Sequence, residues 1–70
     1  MNSRELKAQM IRKAKSTDDL CAAIGISRSA WFRKIGGDSQ FTQGEIAMIR
    51  RELDLDDRQT VIIFFDGEVS

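Results

Sequence analysis

Few of the 70 residues in this chain could do chemistry, and the ones that could are cations and hydroxyls. There is no histidine and only one cysteine, Cys21, so an acid–base pair built on imidazole and an activated thiol are both excluded. The carboxylates fall mostly at helix-capping or exposed helix positions, which have structural explanations. A His/Cys ligand set for a metal is missing, and Asp54-Leu55-Asp56-Asp57 lacks the spacing of a calcium loop. No enzyme activity, metal, cofactor or small-molecule substrate is expected. What remains is a run of donors: Ser27, Arg28, Ser29, Arg33 and Lys34, with Phe32 among them. A guanidinium can bond both acceptors of a guanine edge, a hydroxyl can donate to a phosphate, and an aromatic ring can lie against a thymine methyl. The chemistry on offer is nucleic-acid recognition.

Those side chains need a helix whose N-terminal end is presented outward, and the preceding residues supply one. Ser16-Thr17-Asp18-Asp19-Leu20 has a capping serine and two carboxylates for the electropositive first turn, predicting a helix from there to about Ile24. Gly25 ends it in a left-handed conformation, Ile26 follows as an apolar plug, and Ser27 caps a helix over about 28–36. On that helix Ala30, Trp31 and Ile35 point inward, leaving Arg28, Ser29, Phe32, Arg33 and Lys34 outward. Two short helices around Gly25-Ile26-Ser27 read as a helix-turn-helix.

The rest of the chain is scaffold. Asn2 and Glu5 form a capping box for a first helix over about 3–15, with Leu6, Met10, Ile11 and Ala14 on its apolar face. Three cations (Arg12, Lys13 and Lys15) suit its last turn. Thr42 caps a fourth helix with Glu45 completing the box, Phe41 stapled to Ile46, and Ile46, Ile49 and Leu53 inward. Asp56 caps a fifth over about 57–65. Its run Val61-Ile62-Ile63-Phe64-Phe65 also suits a strand, but with no partner strand elsewhere a helix is favoured. The expectation is an all-α, compact five-helix domain occupying 1–70, with its core at about 3–65.

The chain is neutral, with 11 cations against 11 anions. Phosphate binding relies on Lys and Arg, so neutrality argues against nucleic acid until the charges are placed. Residues 1–37 hold eight cations and three anions, net +5, and residues 38–70 hold three cations and eight anions, net −5. The neutrality is a cancellation of two halves, with the donor cluster in the basic one. A lone cysteine in so small a chain favours a reducing compartment, the cytoplasm. The longest apolar run is five residues, far below the ~20 that cross a bilayer, so no membrane partner is expected.

Residues 16–29 resemble the lambda-repressor-like, Cro/repressor (Xre) helix-turn-helix family. The chain over about 3–65 is similar to its short prophage-type members from Gram-positive bacteria, including Phe41-Thr42 with Glu45-Ile46 and the Ile63-Phe64-Phe65 ending. The resemblance implies a transcriptional regulator that inserts the helix at 28–36 into the major groove of a double-stranded DNA operator. Arg28, Ser29, Phe32 and Arg33 would then contact bases. Thr17, Ser27, Lys34, Gln40, Thr42 and Gln43 would contact phosphates. The sequence departs from the family pattern at Thr17, often glutamine, and at Cys21, commonly alanine and here read as a small core residue. Trp31 is also bulkier than the usual aliphatic residue and is read as core. Because Gln40, Thr42 and Gln43 are uncharged, a shallow salt dependence is expected, with Lys13 and Lys15 in partial compensation. One such helix reads few base pairs, so a homodimer on a palindromic site is expected. The alternative is an antirepressor or adaptor that uses the same fold to bind protein.

Overall fold

The computed structural model describes residues 1–65, and among these the ordered elements are five helices with no strand. They are α1 (Ser3–Arg12), α2 (Thr17–Ile24), α3 (Arg28–Ile35), α4 (Gln43–Glu52) and α5 (Asp57–Phe64). The apolar run at 61–64 is therefore helical. Of the expected span 1–70, residues 66–70 lie outside the described residues.

Each helix starts where a side chain can serve an orphan backbone donor. Ser16, Thr42 and Asp56 each accept from the N–H three residues on, and Asp19, Glu45 and Gln59 return the bond to the cap's own N–H. Ser27 accepts from the Ala30 N–H at 3.1 Å. At α1 the expected box is only half made. Asn2 Oδ1 accepts from the Glu5 N–H at 3.1 Å, but the Asn2 N–H donates to the Ile63 carbonyl at 2.6 Å. The Glu5 carboxylate, displaced from that role, accepts from Gln9 Nε2 at 3.1 Å.

The helix ends share a device. Beyond α1, α3 and α4 the residues Ala14, Gly37 and Asp54 take φ of +56°, +93° and +51°. In each case the next N–H reaches back five residues: Lys15 to Met10, Asp38 to Arg33 and Leu55 to Arg50, at 2.8, 2.9 and 2.9 Å. This is the Schellman closure, which satisfies otherwise orphaned carbonyls. It stops α1 at Arg12, three residues short of the expected end, so that only Arg12 lies in the last turn.

The core consists of Leu6, Met10, Leu20, Cys21, Trp31, Ile49, Leu53, Leu55 and Ile63, with Ile24, Ile26, Ile35, Phe41 and Phe64 packed against it. Trp31 is 2% exposed and meets Phe41 edge-on at 5.4 Å; Phe41 meets Phe64 likewise at 5.9 Å. These rings tie α3 to α5 through the segment before α4. Further, α2 packs against α3 and α4, and α1 against α5. Ile11, expected inward, is 81% exposed. Leu6, Gln9 and Met10 fill the buried arc of α1, and Ile11 stands about 140° around the helix from Leu6. The Cα radius of gyration is 11.0 Å, matching the ~11 Å of a compact chain of this length. Among the described residues no helix is long and apolar enough to cross a membrane.

Candidate nucleic-acid interface

The segment from Ser16 to Ile35 is built by local rules. The Ser16 hydroxyl and Asp19 carboxylate exchange bonds with each other's N–H at 3.1 and 2.9 Å. The Ser16 N–H foremost, with the Ser16 hydroxyl adding, holds the Asp19 carboxyl below the ordinary aspartate range. Gly25 has φ +76°, and a Cβ there would meet nothing within 4 Å. Glycine is thus required for its backbone angle alone. Ile26 rests half-buried on the core, and its N–H bonds the Cys21 carbonyl at 3.1 Å. Burial pushes the Cys21 thiol upward, with Asp18 adding and Arg28 opposing. A protonated, buried thiol is a small packing residue.

From this turn α3 emerges with Trp31 buried and Ala30 and Ile35 half-buried on one side. Ser27, Arg28, Ser29, Phe32 and Arg33 are exposed on the other. Phe32 is 52% exposed. Arg28 Nε stands 3.5 Å from Asp18 Oδ1, and its guanidinium carbon is 6.0 Å from the Phe32 ring centroid. Arg33 makes no ion pair among the described residues.

About 9 Å along the helix, six residues at 1.5 Å each, lies a second cluster around Lys34. Its Nζ donates to the Gln40 carbonyl at 3.1 Å, pairs with Glu45 Oε1 at 3.1 Å and sits 5.8 Å from the Phe41 ring centroid. The Lys34 and Glu45 side chains are 15% and 16% exposed. Glu45 also accepts the Thr42 N–H at 2.9 Å, and that bond, with Lys34 beside it, holds its carboxyl below the ordinary glutamate value. Of the expected phosphate contacts, the structure brings Lys34, Gln40 and Thr42 together, with Gln40, Thr42 and Gln43 exposed, Ser27 exposed at the start of α3, and Thr17 half-buried at the start of α2. Lys34 alone has its charge already engaged.

Asp18 and Glu45 were not anticipated as partners of Arg28 and Lys34. They lie ten and eleven residues away in the chain, too far for any helical spacing rule to reveal. No metal-holding group of three or more His, Cys, Asp or Glu occurs among the described residues. No family model matches the chain, and no curated protein or solved structure matches it.

Proposed function

We propose that α2, Gly25-Ile26-Ser27 and α3 act as a helix-turn-helix that places α3 in the major groove of a double-stranded DNA operator. The chain then serves in the cytoplasm as a transcriptional regulator of the Cro/repressor kind. The observation that carries this reading is the outward face of α3, where Arg28, Ser29, Phe32 and Arg33 are all exposed behind a serine cap and a left-handed glycine. Residues near a recognition helix's N-terminus reach base edges while its capping groups face phosphates. Ser27 fits both duties: its Oγ accepts from Ala30, leaving its proton free for a phosphate oxygen. Thr17, Gln40, Thr42 and Gln43 supply uncharged donors, while Lys34 orders the 40–45 segment that presents three of them. A homodimer with recognition helices about 34 Å apart would read two half-sites of a palindrome.

Selection of bound sequences from random DNA at stated salt tests this. An enriched palindrome that Arg28→Ala with Arg33→Ala abolishes supports the reading; unchanged affinity and preference in that double variant refute it. The adaptor reading has its own observation: Met48, Val61 and Phe65 are 39%, 48% and 38% exposed, and a cleft of about 320 Å³ is lined by Phe41, Ile46, Phe64 and Phe65. If no DNA sequence is enriched and sedimentation shows a complex that Phe65→Asp dissolves, protein binding replaces DNA binding as the function.

A further inference from the structure

We propose that Asp18 is a positioning residue for Arg28, and that Arg28 and Phe32 together read a guanine whose neighbouring base pair carries a thymine. This inference rests on the DNA-binding reading above and names the element of the operator that α3 recognises. Three groups form a chain across the α2–α3 corner: the Asp18 carboxylate 3.5 Å from Arg28 Nε, and the Arg28 guanidinium 6.0 Å from the centre of the Phe32 ring. Asp18 engages Nε and leaves both terminal nitrogens of the guanidinium uncommitted, and these can bond O6 and N7 of one guanine. Successive bases on a strand stand about 3.4 Å apart. A ring centred 6.0 Å from the guanidinium carbon stands more than one base step away, and with part of that separation across the groove it is placed to meet a neighbouring base pair. Phe32 is 52% exposed, and the apolar feature of a major-groove edge is the thymine methyl.

The pair is too exposed, at 63% and 70%, to matter much for folding. Its consequence lies in binding. A carboxylate beside phosphates lowers affinity for all DNA equally, while a guanidinium held in one orientation favours guanine over the other bases. Asp18 thus trades general affinity for discrimination.

The test uses the full chain. Wild type and Asp18→Ala are put through selection from random DNA at one salt concentration. The selected site is then remade with uracil in place of the thymine, which removes only the methyl. Asp18→Ala keeps the Ser16–Asp19 capping box, and a thermal melt verifies its fold. Three results are expected: a guanine adjoining a thymine in the wild-type site, a threefold to fivefold loss with uracil, and, for Asp18→Ala, tighter binding to random DNA with guanine preference reduced by about twofold to fivefold. The proposal is overturned if uracil binds as well as thymine, if no guanine adjoins a thymine in the selected site, or if Asp18→Ala tightens specific and random DNA by the same factor. Failure of wild type to enrich any sequence overturns the DNA-binding reading itself and this inference with it.

Discussion

On the proposed reading, Lys34→Met should destabilise the fold and leave the electrostatics of DNA binding almost untouched. Its ammonium lies 3.1 Å from both the Glu45 carboxylate and the Gln40 carbonyl, with the two side chains about 15% exposed. An exposed pair is worth about 0–1 kcal/mol, and cutting one partner from a buried pair costs about 3–5 kcal/mol. This pair falls between those limits. Methionine retains the aliphatic stem against Phe41, and Glu45 keeps the Thr42 N–H as a donor, so the carboxylate is not orphaned. Together these place the loss at about 1.5–2 kcal/mol, or about 10 °C in Tm for a chain of this size. Thermal unfolding followed by helical circular dichroism and by Trp31 fluorescence measures it. The second measurement is the dependence of DNA affinity on salt: a cation meeting a phosphate contributes about 0.9 to the slope of log affinity against log salt. Lys34→Met should leave that slope unchanged. A slope lower by about 0.9 with an unchanged Tm would refute the argument, because Lys34 would then be leaving Glu45 for the DNA.

Ala14→Gly should stabilise the protein by about 0.5–1 kcal/mol, since Ala14 sits at φ +56° on the surface and glycine relieves the left-handed strain at some cost in unfolded-state entropy; a melt showing no gain would deny that α1 closes this way. Gly25→Ala should cost about 1–2 kcal/mol from φ +76° alone, the space around a Cβ being empty, and a neutral result would contradict the turn geometry. Acid should weaken the fold: Asp19 and Glu45 are both held below their ordinary values of 3.8 and 4.5, so their contribution is complete above about pH 5 and disappears as pH falls through the folded-state values. Tm measured from pH 7 to 3 should therefore stay level at first and then decline, and Glu45→Gln should decline less than wild type; parallel curves would show that Glu45 is not one of the groups responsible.

What the sequence discloses about this fold is set by the range of the interactions involved. Ser16, Ser27, Thr42 and Asp56 are legible as helix starts because each cap bonds a backbone N–H only three residues away. Gly25 and Gly37 are legible as stops because their chemistry advertises the left-handed turn. Ala14 and Asp54 make the same turn without advertising it, which is why α1 reads three residues too long. The buried arc of α1 is obscured for a different reason: Gln9, 1% exposed, takes a place that Ile11 would fill on hydropathy. The failed half of the first capping box depends on Ile63, at the far end of the described chain. A non-local partner decided that box, as non-local partners decided Asp18–Arg28 and Lys34–Glu45 at the candidate interface.

The same pairings change what the charge split means. Of the eight cations in residues 1–37, Lys15 and Lys34 are joined to Glu52 and Glu45 of the acidic half, and Arg28 to Asp18. Two of the four ion pairs among the described residues therefore hold the basic and acidic halves against each other. Among the described residues the cations of the first half without an ion pair are Arg4, Lys7, Arg12, Lys13 and Arg33, of which Arg33 lies on α3. The uncompensated positive charge thus belongs mainly to α1 and the turn that follows it. On the proposed reading, long-range attraction to DNA comes from α1, which acts at a distance without needing a fixed geometry. The face of α3 needs little net charge, because discrimination depends on where Arg28 and Phe32 are held rather than on how strongly the chain is drawn to phosphate.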